Sequence, residues 1–140
     1  MRLRVAKFFP SKLYGFVELP EGGEAFFHVG DFSPGQWEEP LPIPGEFVEV
    51  NSEVEYREGK NAPRVKALVR TEPPLMVVGE VESFNPEKGW GFAMGEDAVS
   101  YYLHRSEFLS LDRIPQPGGR VKFYAGVKQN RSRACYIEVL

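Results

Sequence analysis

A shift of 76 residues lays this chain onto itself without a gap. Val5 falls on Val81, Phe8 on Phe84, Pro10 on Pro86, Lys12 on Lys88, Gly15 on Gly91, His28 on His104 and Phe32 on Phe108. Two copies at so long a period do not make a solenoid, which needs at least three stacked repeats to bury a continuous core. The chain therefore reads as two small units in tandem, residues 1–72 and 75–140, joined by the short, stiff stretch Thr71-Glu72-Pro73-Pro74. Units of this size have thin cores.

Short apolar runs between turn residues predict five strands in each unit. In the first they are 3–9, 13–19, 24–29, 47–56 (bent near Asn51) and 64–70. Pro34, Pro40, Pro42 and Pro44 rule out a ladder or helix between the third and fourth. In the second unit the strands are 76–84, 89–94, 100–104, 121–124 and 134–139. Matching Val54 with Val121 makes the second unit's connection after the third strand shorter by about nine residues. Five short strands with no helical periodicity predict an all-β chain of two small closed barrels.

Strand period places Trp90 and Phe92 on one face, with Gly91 and Ala93 on the other. Tyr102 and His104 likewise share a face, opposite Tyr101 and Leu103. If the two strands are neighbours, three rings and an imidazole lie together with Lys88 at their edge. The first unit repeats this with Lys12, Tyr14, Phe16, Phe26 and His28, at the same interval from phenylalanine to histidine. Rings beside a cation suit the stacking of unpaired bases and contact with phosphate. By spacing alone such a stripe is more often core than binding site. Yet both faces of these strands are apolar, and a barrel has one inside.

The charge is not that of a strongly basic nucleic-acid binder: the net value is −3. Residues 1–72 carry nine Lys and Arg against twelve Asp and Glu; residues 73–140 carry eight of each. The single Cys135 excludes an internal disulfide and reads as core. Two histidines, one per unit, do not make a zinc cluster, and no triad or two-metal spacing is present. No catalytic residue, metal or cofactor is expected, nor a small-molecule substrate. The N-terminal segment lacks an apolar signal region and no run is long enough to span a bilayer, so a cytoplasmic protein is the expectation. Arg131 and Arg133 near the last turn read equally as phosphate contacts or as solvated charges.

Asn85-Pro86-Glu87-Lys88-Gly89-Trp90-Gly91-Phe92 resembles the first ribonucleoprotein motif of the cold-shock domain family, and Tyr101-Tyr102-Leu103-His104-Arg105-Ser106 resembles the second. Lys12-Leu13-Tyr14-Gly15-Phe16-Val17, Ala25-Phe26-Phe27-His28 and Glu58-Gly59-Lys60-Asn61-Ala62-Pro63 are similar to the family in the first unit. The resemblance implies two tandem five-stranded OB-type barrels that bind single-stranded RNA or DNA. It puts Tyr14, Phe16, Phe26 and His28 on the outside. Lys7 or Phe8, depending on a one-residue gap, takes the position of the family's surface tryptophan; without the gap the second unit has Ser83 there. Trp37 falls where a loop aromatic stacks a further base. Leu13 stands in place of a glycine, which is expected to alter the turn, and Glu82 where a lysine is common.

The expected binding set is therefore Lys7, Phe8, Lys12, Tyr14, Phe16, Phe26, His28 and Trp37 in the first unit. In the second it is Phe84, Lys88, Trp90, Phe92, Tyr102, His104 and Arg105. The function that follows is a single-stranded nucleic-acid-binding protein of RNA-chaperone type. The alternative is a protein-interaction module on the same scaffold, favoured by the acidic first unit, by Glu82 and by the missing tryptophans.

Overall fold

Strand alternation translates into burial. The computed structural model describes residues 1–35 and 40–140, which are all-β apart from two single 3-10 turns. The chain divides into two compact units, Met1–Pro73 and Pro74–Leu140.

In the first unit β1 (Arg2–Phe9), β2 (Tyr14–Glu18), β3 (Glu24–His28), β4 (Phe47–Val50) and β5 (Leu68–Val69) form one sheet in the order β3-β2-β1-β4-β5. Isolated parallel bridges, Phe26 to Arg64 and Phe32 to Leu68, tie its two ends. In the second unit β6 (Met76–Asn85), β7 (Trp90–Gly95), β8 (Ser100–His104), β9 (Arg120–Lys128) and β10 (Arg131–Val139) form a closed barrel in the order β10-β8-β7-β6-β9. Closure comes from the parallel pairing of Arg133 with Tyr102. Val5, Val17, Phe27, Val48 and Leu68 fill the first interior; Val81, Ala93, Leu103, Phe123 and Ile137 fill the second.

The first strand of each unit carries a β-bulge. Val5 pairs with Val17 and Lys7 with Phe16, so Ala6 is the extra residue; Val81 pairs with Ala93 and Ser83 with Phe92, so Glu82 is. One inserted residue reverses which face the following side chains take. Lys7 and Ser83 thus turn outward. Phe8 and Phe84, expected on the binding surface, turn inward instead. Phe8 stacks on Phe27 with centroids 6.1 Å apart, and Phe84 meets Phe108 at 5.6 Å. Both are half-buried against their cores. The bulge also needs room on β2 and β7. A Cβ on Gly15 would lie 2.4 Å from the Lys7 carbonyl oxygen, and one on Gly91 2.0 Å from that of Ser83.

The loop comparison also changes. Leu3 pairs with Val48 and Gly79 with Val121, so Val48, not Val54, is the counterpart of Val121. The connection spans 29–46 in the first unit and 105–119 in the second, a difference of three residues rather than nine. Val54 matches in sequence because it too packs on the core, but it lies beyond the end of β4.

The first interior holds an ion pair. Glu46 accepts from Arg70 Nε and, at 2.8 Å, from Arg70 Nη2, and it takes the Ile43 amide at 3.2 Å. Arg70 also donates to the Pro40 carbonyl. Burial raises the Glu46 pKa, and the hydrogen bond and charge of Arg70 pull against that shift. The second unit has Gly119 in the Glu46 position, since each carbonyl takes the amide of the matching valine, Val5 or Val81.

Candidate nucleic-acid interface

The rings gather because β7 and β8 are paired in a register that aligns their outward rows. Trp90 lies opposite His104, and Phe92 opposite Tyr102. Ring centroids are 6.0 Å apart for Trp90 and Phe92, 6.3 Å for Trp90 and Tyr102, 5.8 Å for Phe92 and Tyr102, and 6.2 Å for Tyr102 and His104. None is buried, and Trp90 is 39% exposed. The alternating residues Gly91, Ala93, Tyr101 and Leu103 are buried.

On β2 and β3 the same register sets Tyr14 opposite His28 and Phe16 opposite Phe26. Centroids there are 6.2 Å apart for Tyr14 and Phe16, 5.3 Å for Tyr14 and Phe26, and 5.9 Å for Phe16 and Phe26. Each unit thus presents a contiguous patch of outward, incompletely buried rings.

Each histidine caps the 3-10 turn that follows its strand. Nδ1 of His28 accepts the Gly30 amide at 3.0 Å, and Asp31 accepts the His28 amide at 2.9 Å. Nδ1 of His104 accepts the Ser106 amide at 3.1 Å and lies 2.7 Å from the Ser106 hydroxyl. An Nδ1 that accepts leaves Nε2 as the protonated nitrogen of the neutral ring. Each imidazole is therefore held by the turn and offers one N–H donor beside the rings. Burial, then the charges of Arg133 and Arg105, lower the His104 pKa.

The cations are distributed unequally. Lys7 Nζ sits 4.9 Å from the Phe16 ring and 3.3 Å from Glu24, so it spans the platform and its acidic margin. Lys12 and Lys88 are exposed in the turns that lead into the rings. Asn85 accepts the Glu87 and Lys88 amides at 3.0 Å each. Arg105 is exposed, and its stem lies over Gly89, where a Cβ would come within 2.5 Å of Arg105 Cδ. At the matching place the first unit has Leu13 and Val29. Leu13 adopts φ 58 against 76 for Gly89, and both amides bond back to the residue four earlier. The leucine thus keeps the left-handed conformation and the hydrogen bond to the residue four earlier. Trp37 lies outside the described residues.

Four arginines complete the patches. Arg131 and Arg133 place their guanidinium carbons 5.4 and 5.5 Å from the Tyr102 ring centroid; Arg57 and Arg64 do so at 5.3 and 5.8 Å from Phe26. Arg64 pairs with Asp31 at 3.0 Å and Arg133 with Glu107 at 3.4 Å. Lys128 joins Arg131 and Arg133 around a shallow groove beside Tyr102. The sequence gives no spacing signal for Arg57 and Arg64, because it is the isolated bridges of Arg64 with Phe26 and with Glu55 that bring these segments to the third strand. Phe9 is also absent from the expected set; the bulge turns it outward, 5.3 Å from Tyr14.

No protein-family model matches the chain, and no curated protein does. Among solved structures it is similar to one titled drosophila Unr CSD456, at a TM-score of 0.44 and 18% identity. The match covers 99% of this chain and 60% of that one.

Proposed function

We propose that the chain is a tandem pair of cold-shock-type OB barrels, which binds unpaired RNA or single-stranded DNA and acts as an RNA chaperone. One observation carries the reading: each unit turns a cluster of aromatic rings outward from a separately filled core, with arginines at its edge. Base stacking on a ring contributes about 1–3 kcal/mol, so three or four bases per unit give micromolar affinity or better despite the net negative charge. Bound single strand is withdrawn from the paired ensemble by mass action, and no energy source is needed. Fluorescence anisotropy with unstructured RNA and DNA oligomers at low salt tests this, and absence of binding to either would refute it.

The acidity of the first unit favours a second reading, in which the same surface holds a protein partner. Under that reading the low-salt titration shows no oligonucleotide binding.

A further inference from the structure

We infer that Phe9 is a base-stacking residue that lengthens the first unit's platform by one position at its turn end. The inference rests on the nucleic-acid reading of that platform. Three observations point to it.

The register turns Phe9 outward. The bulge at Ala6 reverses the alternation of β1, so Phe9 pairs with Tyr14 and shares the face of Lys7 and Phe16. Its ring centroid lies 5.3 Å from Tyr14 at an interplanar angle of 54°. From Phe9 through Tyr14 to Phe26, centroid spacing stays at 5.3 Å, so the rings form one unbroken run.

The ring is exposed although it is apolar, with 38% of its residue surface accessible. Phe8, next to it, is the residue that packs against the core.

The same position in the second unit has different work. Asn85 pairs with Trp90 as Phe9 pairs with Tyr14. Its side-chain oxygen closes the turn through two amides. In both units the carbonyl of this residue takes the amide four residues on, Leu13 at 2.9 Å and Gly89 at 2.7 Å; in the first unit the Phe9 carbonyl also takes the Lys12 amide at 3.0 Å, so no side chain is needed there. The Phe9 side chain is released from the turn and is free to stack. Phe9 thus supplies a ring at the turn end, where the second unit has a polar turn residue.

The test uses the full chain carrying Phe92→Ala and Tyr102→Ala, so that binding reports the first unit, titrated with a thymidine hexamer at fixed salt. Phe9→Ala is expected to weaken binding by about 5- to 150-fold, the range that one stacked base contributes, without lowering the thermal midpoint. Phe9→Tyr, which keeps the ring, is expected to retain affinity. Phe9→Asn, which reproduces the second unit's residue, is expected to weaken binding like the alanine. Unchanged affinity in Phe9→Ala, with binding lost in Phe16→Ala/Phe26→Ala, overturns the inference and leaves the functional reading standing. Unchanged affinity in both overturns both.

Discussion

Phe92 and Tyr102 face each other across β7 and β8 with centroids 5.8 Å apart and planes at 63°, and Phe16 and Phe26 do the same across β2 and β3 at 5.9 Å and 75°. The pairs sit on the outer face, back to back with buried Ala93 and Tyr101 in one unit and with Val17 and Ala25 in the other. Stacking capacity and stability are thereby assigned to opposite sides of the same strands.

Truncation should therefore separate the two. Phe92→Ala with Tyr102→Ala should lower oligonucleotide affinity and leave a cooperative melt. Phe123→Ala, in the fully buried interior, should cost about 3–5 kcal/mol of stability. Chemical denaturation of both variants checks this, and loss of the cooperative melt in the surface variant would place those rings in the core.

The first unit should be sensitive to its buried ion pair. Arg70→Met leaves the Glu46 carboxylate desolvated without its partner, and the expected loss is about 3–5 kcal/mol. Replacing Glu46 by Gln as well should recover part of that loss, because no buried charge then remains. A double-mutant cycle by urea unfolding measures the coupling.

The arginine edge should set the salt dependence. Arg131 carries a full charge beside Tyr102 with no carboxylate paired to it among the described residues. If it neutralises one phosphate, Arg131→Ala should reduce the log–log salt slope by about 1. Titrations at three or more salt concentrations read the slope, and an unchanged slope assigns Arg131 to solvent.

His104 should make stability depend on pH in one direction. Its pKa in the fold lies below the ordinary 6.5 because burial and the neighbouring arginines disfavour the imidazolium. Between those two values the unfolded chain binds more protons than the folded one, so stability falls as pH drops through 6.5 toward the folded value and is constant above it. Protonation also opposes the Nδ1 bond to the Ser106 amide. Comparing melts above and below this window in the wild type and His104→Gln checks it: the variant should lose less on acidification.

The all-β character and the shared face of the rings within each strand were legible in the sequence, because strand period and the repeat are local, linear signals; which face is the outer one was read from the family resemblance. Alternation put Tyr14 with Phe16 and Trp90 with Phe92 on one face of a strand; that Phe26 and Tyr102 stand beside them required the strands to be neighbours, as their pairing shows. What alternation cannot reveal is a break in its own phase. The bulges at Ala6 and Glu82 add one residue to a single strand, and only the pairing partner shows it; this moved Phe8 and Phe84 inward and Phe9 outward. Loop length failed for a related reason, since Val54 and Val48 are both apolar and only the ladder with Leu3 distinguishes them. The arginines beside Phe26 and Tyr102 come from distant parts of the sequence, where Arg64 bridges to Phe26 and Arg133 pairs with Tyr102. Periodicity fixes which face a side chain takes within one strand, whereas hydrogen-bond register between strands decides what stands next to it.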